Sequence, residues 1–198
     1  LIQLTNGLGT IITAQIITAH KNHTEVKVIE RSRMVAPKNK VSIAISFIKN
    51  AGRFEWFLEK ATEIGIKEII PLLCKRTEKY HFRMDRMNTI LISAMLQSRQ
   101  AWLPQLKSAT KFNELINSND YSQRFIAHCL KEDKKDLKDI FTNSSDSKII
   151  LIGPEGDFTP EEIDYAIENN FIPVSLGETR LRIETAGLVA AVLLTNMK

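Results

Sequence analysis

The chain has little of what several protein classes require. It contains two cysteines, Cys74 and Cys129, which are too few for a disulfide framework or for the ligand shell of a zinc site. No apolar run approaches the roughly 18 residues of a membrane span, and the first residues lack the basic and apolar stretches of an export signal. We therefore expect a soluble, unexported protein in the cytoplasm, with no metal and no membrane contact.

Disorder is also excluded for most of the length. Hydrophobic residues make up 43% of the 198 residues and charged residues 25%, which is the average of globular proteins. The sequence has no repeat and no low-complexity tract, so a solenoid is excluded as well. A chain of this length forms one domain, or one domain with a small second module.

Positive charge is concentrated in the first part of the chain. Residues 1–110 carry 17 lysines and arginines against 8 acidic residues, whereas residues 111–198 carry 10 against 15. A basic first part is typical of a protein that binds a polyanion, because Lys and Arg supply most of the non-specific affinity for nucleic acid. Solvated helix faces account for such charges equally well, so both interpretations stay open at this point.

The pattern of the chain changes near residue 40. Before it, β-rich runs at 10–17 and 25–30 and a turn at Gly7-Leu8-Gly9 favour a small antiparallel module, followed by a linker at 34–40 that contains Pro37. After it, strand and helix patterns alternate, as a parallel α/β sheet requires. The predicted strands are 41–47, 68–73, 124–129, 148–152 and 171–176, and the predicted helices are 53–64, 84–97, 160–168 and 184–197.

Two predicted strands run directly into glycine. The first junction is Ile152-Gly153-Pro154-Glu155-Gly156, and the second is Leu176-Gly177, which is followed by Leu181-Arg182 and Glu184. Glycines at such positions put bare backbone amides at the carboxyl edge of the sheet, where open α/β sheets bind ligands. A plain connecting turn and a capped helix start with surface arginines are the ordinary alternatives.

Together the two junctions closely resemble the signature of the RsmE-type methyltransferases of the SPOUT class, which act on N3 of a uridine in 16S ribosomal RNA. Further motifs of that family have similar counterparts here in the same order, namely Glu59-Lys60-Ala61-Thr62-Glu63-Ile64-Gly65-Ile66 and Gln97-Ser98 with Pro104. The resemblance implies an α/β fold with a parallel sheet and a C-terminal trefoil knot, S-adenosylmethionine bound in the knot, ribosomal RNA as partner, and a homodimer. It also implies that residues 1–36 belong to a PUA-like RNA-binding β-barrel whose opening residues are missing, and that residues 37–198 form the methyltransferase domain.

The resemblance assigns roles to particular residues. Arg182 becomes the candidate for stabilising a uracil anion, and Glu184 is expected to orient Arg182 or to cap the last helix. Cys129 is expected as a small buried filler, and His128 as a packed or capping histidine more often than a proton carrier. The expected cofactor slot consists of His128, Cys129, Leu130, Ile152, Gly153, Pro154, Glu155, Gly156, Leu176, Gly177 and Leu181. The expected RNA phosphate contacts are Arg76, Lys79, Arg83, Arg86 and Arg99.

The sequence departs from the family pattern in several places. Asp157 replaces a common glycine, Thr179-Arg180 stands where Arg-Ile is usual, and Ile183 replaces a common threonine. Three other functions therefore stay open. They are a SPOUT enzyme acting on tRNA or another rRNA base, a non-catalytic RNA-binding or ribosome-assembly protein, and, least favoured, a phosphate-binding α/β enzyme, for which no phosphate fingerprint is present.

Overall fold

The computed structural model describes residues 1–37, 40–78, 83–118, 120–130, 134–140 and 147–196. Its first part is a three-stranded antiparallel sheet made of β1 (Ile2–Thr5), β2 (Thr10–Ala19) and β3 (Thr24–Arg33), with β2 in the middle. The predicted turn at residues 7–9 joins β1 to β2. Among the described residues, no helix is long and apolar enough to cross a membrane.

The remaining elements form a parallel sheet covered by helices. Its strands are β4 (Lys40–Ser46), β5 (Glu68–Leu73), β6 (Gln105–Leu106), β7 (Thr110–Lys111), β8 (Gln123–Ala127), β9 (Lys135–Asp136), β10 (Ser147–Ile152) and β11 (Ile172–Ser175). Its helices are α1 (Ala51–Ile64), α2 (Met84–Gln97), α3 (Phe112–Ile116), α4 (Leu137–Ile140), α5 (Pro160–Glu168) and α6 (Ile183–Asn196). The strand order is β6-β5-β4-β10-β8-β11-β9, and β7 pairs with β5.

The central strands are apolar on both faces because helices cover both faces of the sheet. Ile43 and Ile150 lie side by side and pack with Phe57 of α1, in a cluster that also takes in residues of α2 and α6. Ile149 and Leu151 point the other way and pack with residues of α3 and α5. The predicted parallel α/β core is confirmed.

Helix α5 begins where the sequence predicts. The backbone N–H of Glu162 donates to the Thr159 hydroxyl at 3.3 Å, and the backbone N–H of Thr159 donates to the Glu162 carboxylate at 2.9 Å. This reciprocal capping box satisfies two amides that would otherwise lack partners. The capping box therefore fixes where α5 begins after the carboxyl end of β10.

Helix α6 lies unusually close to the sheet. A Cβ added at Gly187 would stand 2.7 Å from the Phe57 ring and 2.9 Å from the Ile45 side chain. Ala190 and Ala191 on the same helix are fully buried. The small-residue face of α6 therefore packs inside the chain, against α1 and β4.

The β-module is joined to the α/β part through a tight backbone contact. The Gly9 N–H donates to the Ala101 carbonyl at 2.8 Å, and the Leu103 N–H donates to the Gly7 carbonyl at 2.9 Å. Gly9 has a φ of +89°, and a Cβ there would overlap the Trp102 ring. Only glycine both adopts this positive φ readily and has no side chain to collide with Trp102. The turn is therefore suited to its contact with residues 101–103.

Candidate active site

A cavity of about 640 Å³ opens at the carboxyl edge of the sheet. Ala127, Ile152 and Val174 lie at or near the ends of β8, β10 and β11 and line it, and the starts of α1 and α6 close its sides. This is the edge at which open α/β sheets hold ligands, and the volume falls in the usual range of small-molecule sites, about 300–1,000 Å³.

The cavity brings the two predicted glycine junctions together with residues 128 and 129 of the loop after β8. Its lining includes nine of the eleven residues expected to hold the cofactor: His128, Cys129, Ile152, Gly153, Pro154, Glu155, Leu176, Gly177 and Leu181. Leu130 and Gly156 lie outside the lining. Leu130 is 37% exposed, and a Cβ added at Gly156 would meet the Arg76 side chain at 3.3 Å instead of the cavity.

The two glycines in the lining differ in what occupies their missing side-chain space. A Cβ at Gly153 would lie 3.0 Å from the Phe158 ring, so protein already fills that space. A Cβ at Gly177 would meet nothing within 4 Å, and the residue has a φ of +128°. Gly177 is therefore the position where the absent side chain leaves room for a ligand.

The loop after β8 is anchored by Lys134, which the sequence analysis does not single out. The Lys134 ammonium donates to the carbonyl oxygens of His128 and Leu130, the latter at 2.7 Å. His128 is buried, whereas Cys129 is exposed. The expectation of a buried Cys129 is thus wrong, because the loop turns this side chain outward at the cavity wall.

Arg182 and Glu184 both line the cavity but do not pair with each other. The Arg182 side chain is exposed, and its carbonyl accepts the Ala186 N–H at 2.7 Å at the start of α6. The carboxylate of buried Glu184 lies 3.7 Å from Nε of Arg53, a residue of α1 that also lines the cavity. Residues 53 and 184 are far apart in the chain, so no local pattern could have revealed this ion pair.

Asp157 joins the loop after β10 to the loop after β8. One carboxylate oxygen accepts the N–H of Cys129 at 2.7 Å, and the other accepts the N–H of Phe158 at 2.8 Å. Asp157 has a φ of +63° and lines the cavity. A residue that only marks a departure from the family's glycine in the sequence is thus a structural link at the site.

None of the described arginines expected to contact RNA lines the cavity. Arg76 donates to the carbonyl oxygens of Gly156 and Phe158, at 2.7 and 3.3 Å. Arg86 forms a two-pronged ion pair with Glu55, and its hydrogen bonds lower the pKa of the Glu55 carboxyl. Arg83 and Arg99 flank α2 and are exposed, and Lys79 lies outside the described residues.

The acidic, histidine and cysteine side chains of the described ranges form no group of three that could hold a metal ion. The charged lining consists instead of the cations Arg53, Lys134, Arg180 and Arg182 and the anions Glu155, Asp157, Glu178 and Glu184. Because its lining contains both apolar and charged residues, the cavity suits a ligand that has both an apolar ring and charged groups.

Comparison with known proteins gives consistent results. A family model described as an RNA methyltransferase domain matches residues 36–195. Ribosomal RNA small subunit methyltransferase E of Rickettsia conorii is 28% identical over 190 residues, which are 96% of this chain and 78% of that protein.

Two solved structures share the fold. A probable rRNA-methyltransferase from Porphyromonas gingivalis is 36% identical with a TM-score of 0.91, over 96% of this chain and 81% of that one. A ribosomal RNA small subunit methyltransferase E from Neisseria gonorrhoeae, bound to S-adenosyl methionine, is 26% identical with a TM-score of 0.85, over 96% and 80%. The resemblance read from the two glycine junctions is therefore confirmed, and the chain belongs to the family of RNA methyltransferase domains.

Proposed function

We propose that this chain transfers the methyl group of S-adenosylmethionine to N3 of a uridine in small-subunit ribosomal RNA. The observation that carries the proposal is the cavity in which the two glycine junctions and the loop after β8 meet, with the exposed Arg182 in its lining. The names of its relatives point to small-subunit ribosomal RNA as substrate, and the Neisseria gonorrhoeae relative is described as bound to S-adenosyl methionine.

The residues of the cavity fit this cofactor. Ile152, Leu176 and Leu181 give apolar surface to an adenine ring, and the open space at Gly177 allows the ligand to approach the backbone closely. When bound, S-adenosylmethionine supplies a methyl group on a positively charged sulfur.

Arg182 is the residue we assign to the uracil. N3 of uridine is a poor nucleophile while it carries its proton, so the site must favour the imide anion. The Arg182 guanidinium is exposed at the cavity and, within the described ranges, forms no side-chain ion pair or hydrogen bond. It is therefore available to the uracil carbonyl oxygens, on which the negative charge of the anion lies.

Glu184 has a supporting role in this proposal. Its buried carboxylate is paired with Arg53 and lies in the first turn of α6, where a negative charge interacts favourably with the helix dipole. We therefore assign it to fixing the start of α6, which carries Arg182, and not to removing the uridine proton.

RNA binding is assigned to residues 1–36, as a PUA-like module, and to the arginines around α2, while residues 37–198 carry methyl transfer. Strand β3 supports this assignment, since its Lys27, Arg31 and Arg33 are exposed. Arg83 and Arg99 are exposed as well and are assigned to phosphates on the same ground. Because the proposed substrate is ribosomal RNA, we infer that the protein works in the cytoplasm.

A homodimer completes the proposal. Leu188, Val189 and Val192 lie on the side of α6 that faces away from the sheet, and Val192 is 40% exposed. An apolar stripe of this kind suits a second copy of the chain. Sedimentation at micromolar concentration should give a mass near twice 22.5 kDa. A monomer at all concentrations would contradict the dimer.

The function is tested by the modification itself. Small-subunit ribosomal RNA from cells that lack the gene should take up one methyl group per molecule from the purified protein and S-adenosylmethionine, and mass spectrometry should identify 3-methyluridine. Methylation of tRNA or of another base would favour a different SPOUT enzyme. Absence of S-adenosylmethionine binding in calorimetry would favour a non-catalytic RNA-binding protein.

A further inference from the structure

We propose that Asp157 is a positioning residue that clasps the loop after β8 to the loop after β10 and holds both in the geometry that binds the cofactor. The inference rests on the proposed function, because S-adenosylmethionine is taken as the ligand of the cavity. The clasp consists of the Asp157 carboxylate and the N–H groups of Cys129 and Phe158.

The clasp uses both oxygens of one side chain. Oδ2 accepts from Cys129 at 2.7 Å and Oδ1 accepts from Phe158 at 2.8 Å, so each oxygen serves a different loop. Hydrogen bonds to an ionised acceptor are shorter and stronger than neutral ones. A single carboxylate thereby fixes the separation of two cavity walls that are almost thirty residues apart in the chain, at 128–129 and 157–158.

The backbone at this position is unfavourable for most residues. Asp157 has a φ of +63°, which glycine adopts at no cost and which Asp and Asn tolerate better than other residues. The Asp157 N–H donates to the Pro154 carbonyl at 2.9 Å and closes a tight turn of residues 154–157, at the end of which this conformation occurs. A side chain kept where glycine would fit best indicates that its carboxylate contributes something glycine cannot.

The loop that carries Asp157 is itself anchored from outside the cavity. Arg76, just after β5, donates to the carbonyl oxygens of Gly156 and Phe158. Glu155 accepts the Lys49 N–H, after β4, at 3.1 Å. The loop after β10 is therefore the fixed side of the clasp, and the loop after β8 is the side that Asp157 positions.

Such a clasp favours binding by ordering the cavity before the ligand arrives. A ligand that enters a preformed site does not lose affinity to the ordering of loops, whereas a ligand that must order them binds more weakly. The clasp also gives the Cys129 N–H a partner in the free protein. We infer that Asp157 orders the loop after β8 together with Lys134, which binds the carbonyl oxygens of His128 and Leu130 while Asp157 binds the Cys129 N–H.

Three variants test the clasp. Asp157→Gly removes the carboxylate and suits the positive φ. Asp157→Asn keeps the shape of the side chain and one acceptor oxygen. Asp164→Asn removes a charge from an exposed position of α5 and is the matched control. Calorimetry with S-adenosylmethionine, well below the melting temperature, should give an affinity about tenfold lower for Asp157→Gly, since bonds to charged groups are worth that much or more. Asp157→Asn should lie between, and Asp164→Asn should match the wild type.

Amide hydrogen exchange on the ligand-free protein measures directly how well the clasp protects its two N–H groups. The Cys129 and Phe158 amides should exchange about ten times faster in Asp157→Gly, while amides of β4 and β10 keep their protection. An Asp157→Gly protein that binds S-adenosylmethionine as well as or better than the wild type would overturn the inference, and so would unchanged exchange at both amides. A wild-type protein that binds no S-adenosylmethionine would contradict the proposed function instead.

Discussion

Gly177 shows how a single missing side chain can shape a site. Its φ of +128° disfavours any other residue, and its side-chain space opens into the cavity with nothing within 4 Å. Gly177→Val should abolish S-adenosylmethionine binding, because the branched side chain occupies the room left for the ligand. Calorimetry measures the loss.

Gly65 provides the matched control for that substitution. It has a φ of +88° at the end of α1 and does not line the cavity. Gly65→Val should lower the melting temperature through the same kind of backbone strain and leave cofactor affinity unchanged. If both variants lose affinity equally, strain and not occupied space explains the effect.

Arg182 is expected to act on rate more than on binding. Arg182→Ala should keep RNA affinity nearly unchanged and lower the single-turnover methylation rate by about 10²-fold or more, since the guanidinium interacts mainly with the developing uracil anion. Arg182→Lys should restore part of the rate by restoring the charge. A less stable Arg182→Ala protein that methylates at the wild-type rate would remove the catalytic assignment.

At the scale of elements, the ion pair between Arg53 and Glu184 joins the first turns of α1 and α6 at the cavity. The Arg53 side chain is 45% exposed and the Glu184 side chain 10% exposed, so solvent screens only one partner well. Arg53→Ala should lower the free energy of unfolding by about 1 kcal/mol, because it leaves a buried carboxylate without its counter-charge.

A double-mutant cycle in urea isolates the pair. Arg53→Ala combined with Glu184→Gln should cost less than the two single changes added together, because the glutamine needs no counter-charge. Strict additivity would show that the two side chains do not interact in solution. Rescue by Arg53→Lys would show that charge, and not the fork of the guanidinium, is what Glu184 requires.

Elements with a pattern of their own could be predicted from the sequence. Strand β5 and helix α2 have the predicted bounds, and α5 begins at the predicted capping box. Helix α1 begins two residues earlier than predicted, because the Asn50 side chain accepts the Gly52 N–H at 3.0 Å and caps it. Polar caps extend helices beyond their apolar periodicity, which is why the pattern alone set the start too late.

Elements that exist only through tertiary pairing could not be predicted. β6, β7 and β9 have two residues each, too few for a hydrophobic period, and α3 and α4 are one turn long. The same limit applies to the site. The glycine junctions are short local motifs, so the sequence predicts them. The links made by Arg53 and Asp157 join distant segments, so the sequence does not. The prediction of a trefoil knot rests on the family resemblance alone, because periodicity carries no information on how a chain is threaded.

At the scale of the whole molecule, the basic side chains that are free and those that are paired should differ in their effect on RNA binding. Arg83→Gln removes an exposed charge and should reduce the salt dependence of RNA affinity by roughly one unit of slope or less. Arg86→Gln should have a smaller effect, because Glu55 already neutralises that guanidinium. Filter binding across a salt series measures both.

Cofactor affinity is the internal control for these arginines. Neither side chain lines the cavity, so both variants should bind S-adenosylmethionine as the wild type does. Equal salt slopes for wild type and Arg83→Gln would show that this arginine meets no phosphate. Exposed β3 would then be the next surface to test, through Lys27 and Arg31.

The backbone bonds between the turn at residues 7–9 and residues 101–103 bear on how a target nucleotide is chosen. These bonds and the close contact of Gly9 with Trp102 tie the β-module to the α/β part, and we expect them to keep its exposed strand at a constant distance from the cavity. Such a fixed distance would act as a ruler along the bound RNA. We expect the target uridine to be selected by its distance from the part of the RNA that the β-module is proposed to bind, so lengthening the RNA between these two points should abolish methylation even when every base near the target is kept.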